Sequence, residues 1–377
     1  MEINPTISGW KDKILFTPGP LITSRTVKQA MLRDLGSRDY TFIELVKDIR
    51  NRLLEIGQVR KGDYEAILMQ GSGTFALEAV VSSTVPPGGK LLVIVNGAYG
   101  RRIALIAQVL KIDVATLVYP ENRTPDLAEI EATLAADDSI TNVAVIHCET
   151  TTGIINPIKE IGAIVKQFGK SYFVDAMSSF GAVPFSLSEC EIDFMVSSAN
   201  KCIEGVPGFA IILAKQESLL ATESYARSLS LNLLAQWQGL DTNGQFRFTP
   251  PTHALLAFHQ ALLELGDEGG AEGRGRRYQA NYETLVTGTR ALGLREYLQP
   301  EDQGYIITSF HYPPHPKFDF EAFYRRLNDK QQVIYPGKVS EVACFRIGSI
   351  GRIFPADVST LLAAMRETFE EMGVTLT

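Results

Sequence analysis

The sequence is poor in the residues that staple or metallate folds. Of 377 residues four are cysteine (Cys148, Cys190, Cys202, Cys344) and five are histidine. No cysteines pair at CxxC spacing, so a disulfide scaffold or dithiol motif is not expected. The four read as reduced thiols of a cytoplasmic protein. The histidines never cluster with cysteine at ligand spacing, which argues against a zinc site, and no metal is expected. No apolar run reaches the ~20 residues a bilayer demands, and residues 1–13 are mixed polar without the apolar centre of a secretory leader. A membrane partner is therefore not expected. Positive charge is also short: 36 Lys and Arg face 43 Asp and Glu, a net charge of −7. Without a dense basic run the footprint of a nucleic-acid binder is missing.

What remains is an ordinary globular mixture, 45% hydrophobic and 21% charged. It is long enough for one large and one small domain. Apolar runs of strand length at 66–69, 90–95, 114–118, 143–147, 172–175, 194–197 and 209–214 alternate with helical patterns. Strands apolar throughout and separated by helices predict a parallel sheet covered on both faces, with ligand loops at the carboxyl ends of its strands. After about residue 251 the pattern changes. Helices are expected over 252–268, 275–292, 318–327 and 356–372, with strands at 304–311, 333–335 and 344–347. The expected division is an amino-terminal arm (1–20), a large α/β domain (21–251) and a smaller α+β domain (252–377).

Four features could carry chemistry, and each has a plainer alternative. Gln70-Gly-Ser-Gly-Thr74 lies between a strand and a helix, where free N–H groups and the helix dipole favour an anion such as phosphate; alone, such a segment is more often just a turn. Tyr99, in the loop Asn96-Gly-Ala-Tyr-Gly100, could stack on a planar ring or pack on the sheet. Asp175 ends the run Tyr172-Phe-Val-Asp175 and points at the ligand crevice. Its partner could be a metal, a protonated ring nitrogen or the next helix. Lys201 follows a buried strand; a desolvated lysine has a lowered pKa and can form an imine, whereas most lysines are surface charges. Taken together, a phosphate loop, an aromatic ring, an acid and an amine match the needs of pyridoxal phosphate.

The chain resembles the class V aminotransferases of fold type I, within them the branch acting on 2-aminoethylphosphonate and pyruvate. The resemblance runs from about residue 14 to 372. Its segments include Phe16-Thr-Pro-Gly-Pro-Leu21, His147-Cys-Glu-Thr-Thr-Thr-Gly153, Val174-Asp-Ala-Met-Ser-Ser-Phe-Gly181, Ser197-Ser-Ala-Asn-Lys-Cys-Ile-Glu-Gly-Val-Pro-Gly208, Arg247-Phe-Thr-Pro-Pro-Thr-His253 and Phe345-Arg-Ile-Gly348. It implies a large domain with a mostly parallel seven-stranded sheet, a smaller α+β domain, and pyridoxal 5'-phosphate as cofactor.

The resemblance also implies roles. Lys201 captures the cofactor aldehyde and later moves the substrate proton. Asp175 pairs with the pyridine nitrogen, and Tyr99 stacks on the ring. Ser72, Gly73 and Thr74 hold the phosphate; Asn200 lies near it and Thr150 near the ring hydroxyl. Thr249 reaches the phosphate in the neighbouring subunit, so a homodimer is implied. Arg346 binds the substrate acid group in a pocket lined by Gly19. A guanidinium suits this independently, since it can take a phosphonate or a carboxylate in bidentate fashion; the plainer reading is a surface arginine. The implied reaction gives phosphonoacetaldehyde and alanine. An alanine– or serine–glyoxylate transaminase is the alternative within the class, and a phosphate-binding α/β protein the alternative outside enzymes.

Overall fold

The computed structural model describes residues 12–335 and 342–376. Residues 1–11 of the expected arm lie outside the described residues. The centre is a seven-stranded sheet whose strands, in chain order, are β1 (Tyr64–Gln70), β2 (Lys90–Val95), β3 (Asp113–Val118), β4 (Ile140–Ile146), β5 (Ser171–Asp175), β6 (Phe194–Ser198) and β7 (Phe209–Lys215). Their spatial order is β1-β7-β6-β5-β4-β2-β3. Pairing is parallel from β6 to β3, whereas β7 runs antiparallel to both β6 and β1. The fold is the expected α/β architecture with a mostly parallel sheet. The inner strands are buried almost end to end because helices cover both faces, while the edge strand β3 alternates exposed and half-buried positions.

Crossover helices place the strand-to-helix loops at one sheet edge. Helix α1 (Gly73–Thr84) follows β1, α2 (Ala98–Val109) follows β2, and α3 (Ile158–Gln167) leads into β5. The β6–β7 connection is different. Because its strands are antiparallel neighbours it needs no crossover, and residues 199–208 turn back on themselves through bonds from Glu204 N to Lys201 O (2.8 Å) and Gly205 N to Ala199 O (2.9 Å). Lys201 rides on this turn. A short hairpin, Cys148–Glu149 against Ile154–Ile155, follows β4 and has no counterpart among the expected elements. Its two-residue strands are below the length at which alternation can be read.

Helix α4 (Thr252–Asp267), just past the expected boundary at 251, places Leu255, Phe258 and Leu262 in the core of the large sheet. Helix α5 is Gly270–Ala291, five residues longer at its start than expected. A second core gathers Phe16, Leu285, Phe310, Phe323, Phe345 and Phe369. It is built on the antiparallel pair β8 (Ile307–His311) and β9 (Cys344–Gly348) and on helices α6 (Phe320–Asp329) and α7 (Pro355–Met372). The amino-terminal segment belongs to this core. Ile14–Leu15 pairs parallel with Gln332–Val333, and Gly348 N donates to Phe16 O at 2.9 Å. The chain then runs to Gly19, against Lys201.

Candidate active site

The loop after β1 forms an anion cup. Gly71 N donates to Gly208 O at 3.0 Å, which fastens the cup to the start of β7. Ser72 caps α1 from extended backbone, and its hydroxyl makes no capping hydrogen bond. The first-turn amides at Gly73 and Thr74 thus stay available at the positive end of the dipole. A Cβ on Gly73 would lie 2.4 Å from Met177 Sδ, so this turn packs closely against the segment after β5.

Asp175 ends β5 and is 2% exposed. Its Oδ1 accepts from Met177 N at 2.8 Å, and among the described residues no other hydrogen bond reaches its carboxylate. Burial pushes its pKa up to about 7, against the pull of the Met177 amide. The group is therefore short of a cationic partner. Beside it, the imidazole of His147 packs edge-on to Phe185 at 5.0 Å with Nδ1 buried and unpartnered, and burial lowers its pKa to about 4. It is neutral at ordinary pH.

Lys201 Nζ donates to Pro18 O at 2.7 Å, and burial lowers its pKa to about 8. The amine lies within electrostatic reach of both Asp175 and Arg346. Asn200 Oδ1 accepts from Ser198 Oγ. An amine whose pKa burial draws down toward neutrality, close to a buried acid, can act as nucleophile and proton carrier.

Arg346 lies on β9 opposite Ser309 and is 2% exposed. Its Nη1 donates to Thr150 O at 2.7 Å, its Cζ sits 4.5 Å from the centre of the Tyr335 ring, and Nη2 is buried without a partner. Burial draws its pKa down, while Tyr99 and Tyr335 oppose the shift. Among the described residues it takes part in no ion pair, so this guanidinium keeps a full charge and a spare donor for an anion.

Of the expected residues, Lys201, Asn200 and Gly19 form one group, Asp175 and the Ser72–Gly73–Thr74 cup meet through Met177, and Arg346 joins Thr150 and Tyr99. Thr249 stands apart. It is exposed, and its carbonyl accepts from Gln70 Nε2 at 3.3 Å on the rim of the cup. Sequence reasoning assigned no role to Glu149. This carboxylate is fully buried, accepts from Tyr99 N (3.1 Å) and Gly100 N (3.4 Å) at the start of α2, and accepts from Thr151 N and Oγ1. Burial raises its pKa. A lone acid between two helix starts carries no pattern that marks it; only the hairpin brings it under Tyr99.

The site sits at the carboxyl edge of a parallel sheet, and the family profile described as aminotransferase class-V matches residues 24–330. The chain belongs to the class V aminotransferases. It is 50% identical over 356 residues to a 2-aminoethylphosphonate–pyruvate transaminase of Vibrio vulnificus, covering 94% of this chain and 97% of that protein. It is 48% identical over 358 residues to the protein of that name from Salmonella typhimurium, with the same coverage. Among solved structures it is similar to alanine–glyoxylate aminotransferase from Nostoc sp., with a TM-score of 0.87 and 26% identity over 98% of both chains. Pyridoxamine–pyruvate aminotransferase from Mesorhizobium loti shares the fold, with a TM-score of 0.88 at 24% identity over 97% of this chain and 94% of that one. All four cysteines of this class V chain are buried and outside disulfides. No described helix is long and apolar enough to cross a membrane.

Proposed function

We propose that this class V aminotransferase uses pyridoxal 5'-phosphate to move the amino group of 2-aminoethylphosphonate to pyruvate, giving phosphonoacetaldehyde and L-alanine. One observation carries the reading: a buried arginine with an unpaired donor faces the same site as a buried lysine whose pKa burial lowers to about 8 and a buried acid whose pKa burial raises to about 7. Both substrates carry an anion and exchange an amine, and this is the arrangement such a pair needs. The transaminases of that name at 48–50% identity support the choice of donor.

The residues present fit the cofactor. The uncapped cup at Ser72, Gly73 and Thr74 suits its phosphate, and Asn200 is proposed as a further contact to it. Asp175 lacks the cation that a protonated pyridine nitrogen supplies. Tyr99 would cover a ring face, and Thr150 would serve the ring hydroxyl. When bound, the cofactor supplies an aldehyde that captures amines and a ring that withdraws electrons from the substrate carbon.

Each protein group then has a task. Lys201, with its lowered pKa, would be neutral often enough to accept a proton from the amine-bearing substrate carbon and to return it on the far side of the nitrogen, at the carbon of the cofactor's aldehyde group. Asp175 would hold a proton on the pyridine nitrogen through its negative charge, in a site where burial strengthens that attraction. Arg346 seats phosphonate in one half-reaction and carboxylate in the other, so both substrates use one site in turn. Gly19 and the Pro18 carbonyl close the pocket and orient the Lys201 amine.

We further infer a cytoplasmic homodimer in which Thr249 serves the neighbouring subunit's phosphate. Exposed Phe75 and Phe248 beside the cup support a covered face there. The proposed division is an amino-terminal arm lining the site, a large cofactor domain and a small α+β domain.

The test is a set of half-reactions. The cofactor-loaded protein should be yellow and should bleach fastest with 2-aminoethylphosphonate. Faster bleaching by serine would assign it to the glyoxylate transaminases, and a protein that never turns yellow would be a phosphate binder.

A further inference from the structure

A buried polar network behind the site joins the Lys201 turn to the loop that leaves the Arg346 strand. It is carried by one stripe of helix α5: Arg274, Tyr278 and Asn281 are fully buried and Arg277 nearly so, at a spacing that puts all four on one face. On one side, Arg274 Nη1 donates to Cys202 O at 2.7 Å, and the Tyr278 hydroxyl lies 3.2 Å from the same carbonyl. Cys202 is the residue after Lys201. On the other side, Arg277 Nη1 donates to Gly351 O (2.6 Å) and Ile353 O (3.1 Å). Gly351 N donates to the Tyr278 hydroxyl at 3.2 Å, and Asn281 Nδ2 donates to Ser349 O and Ile353 O. These carbonyls begin one residue past β9.

The two sides meet on Glu204, three residues after Lys201 and 2% exposed. Its Oε1 accepts from Arg277 Nη2 and from the Tyr278 hydroxyl, both at 2.7 Å. Glu268 anchors both arginines at 2.6 Å. The network is not arranged for stability alone: Arg274 Nη2 and Glu204 Oε2 are buried without partners, and a buried ionic cluster with unmet donors is weaker than well-packed apolar side chains. What it does supply is rigid, directional contact between two segments that belong to different cores. Tyr278, Cys202 and Ile350 form a small cluster at that junction.

We propose that Tyr278, with Glu204 and Arg277, is a positioning residue that sets the separation of the Lys201 amine from the Arg346 guanidinium, and through it the length of amino donor the enzyme accepts. This rests on the reading of Lys201 as the reacting amine and Arg346 as the anion seat. The donor must span the two with its amine-bearing carbon at one end and its phosphonate at the other. A shift of either segment therefore penalises one chain length and relieves another.

The experiment compares kcat/KM for aminomethylphosphonate, 2-aminoethylphosphonate and 3-aminopropylphosphonate, with pyruvate as acceptor, in the wild-type holoenzyme and in Tyr278→Phe. The substitution keeps the ring and removes the one hydroxyl shared by Cys202, Glu204 and Gly351. The preference of wild type for the two-carbon donor should fall by about tenfold, within the range one methylene commands in a fitted pocket. A uniform fall for all three donors, or an unchanged preference, overturns the proposal, because a merely structural loss would not sort donors by length. Should Tyr278→Phe fail to fold, Arg277→Lys serves: it keeps the charge on Glu204 but lacks the fork that also reaches Gly351 and Ile353. Wild-type enzyme inactive on every phosphonate would overturn the underlying assignment together with the proposal. Activity on the two-carbon donor with selectivity that survives the variants would overturn the proposal alone.

Discussion

The Lys201 amine is bonded to the carbonyl of Pro18, 183 positions earlier in the chain. The catalytic candidate of the large sheet is thus held by the segment that also builds the second core. Gly19 makes this possible. Its φ of +116° is a conformation that side chains resist, and a Cβ there would stand 2.6 Å from Lys201 Cδ and 2.9 Å from Asn200 O. Gly19→Ala should displace the loop from the amine, reducing kcat by about tenfold or more for a shift on the order of 1 Å. Steady-state kinetics with the yellow band followed in parallel check this; full activity with an unshifted band would show that the loop does not orient the amine.

Replacing Lys201 with alanine should abolish the yellow band and turnover together, while the far-ultraviolet spectrum stays that of the folded chain. Borohydride treatment of the loaded wild type should fix label at this one lysine, read by peptide mass. Label at any other lysine would reassign the reacting amine.

Asp175 makes stability depend on pH. Burial raises its folded pKa to about 7, above the 3.8 ordinary for aspartate. Between those values the folded chain binds more protons than the unfolded one, so the stability of the cofactor-free protein falls as pH rises through that window. Asp175→Asn removes this loss. The variant should gain on the wild type between pH 5 and pH 8, by on the order of a few kcal/mol at most, as measured by urea unfolding without cofactor. In the loaded enzyme the same variant should lose about a hundredfold or more in kcat, since the charge that holds the ring-nitrogen proton is gone. An equal stability gap at both pH values would show that Asp175 is already ionised in the folded chain.

Arg346→Lys should raise KM for donor and acceptor alike, by roughly ten- to a hundredfold for each charge-assisted bond lost. An ammonium cannot keep its bond to Thr150 O and present a second fixed donor to an anion. A KM change confined to pyruvate would show that the phosphonate binds elsewhere.

Glu149→Gln should weaken the protein by about 1–3 kcal/mol, because a buried amide cannot accept from Thr151 and from the α2 amides as a carboxylate does. It should also loosen Tyr99. Thermal unfolding together with cofactor affinity tests this, and a neutral outcome in both would leave Glu149 without a role in the site.

Much of the architecture was legible in the residues. Strands apolar on both faces, such as Leu91–Val95 within β2, belong only in a covered sheet, and the glycine-bounded loops after them mark its ligand edge. Lys201 and Asp175 could be singled out because a charge directly after a buried strand has few places to go. Glu149 could not, since its partners are backbone amides of a different helix and leave no trace in spacing. The antiparallel turn of β7 and the inclusion of helix 252–267 in the large core were equally hidden, because an apolar strand or helix face does not state its neighbour.

The order and type of the elements, and the identity of the chemical groups at the sheet edge, were determined by the sequence itself, through local periodicity and side-chain chemistry. The tertiary structure alone decided which groups meet. It brought Pro18 to Lys201, left Arg346 buried with an unspent donor, and joined Cys202 to Gly351 through Tyr278. Such contacts arise where distant segments exclude water together, and burial and mutual distance, which set the pKa of each group, are properties of the packed chain.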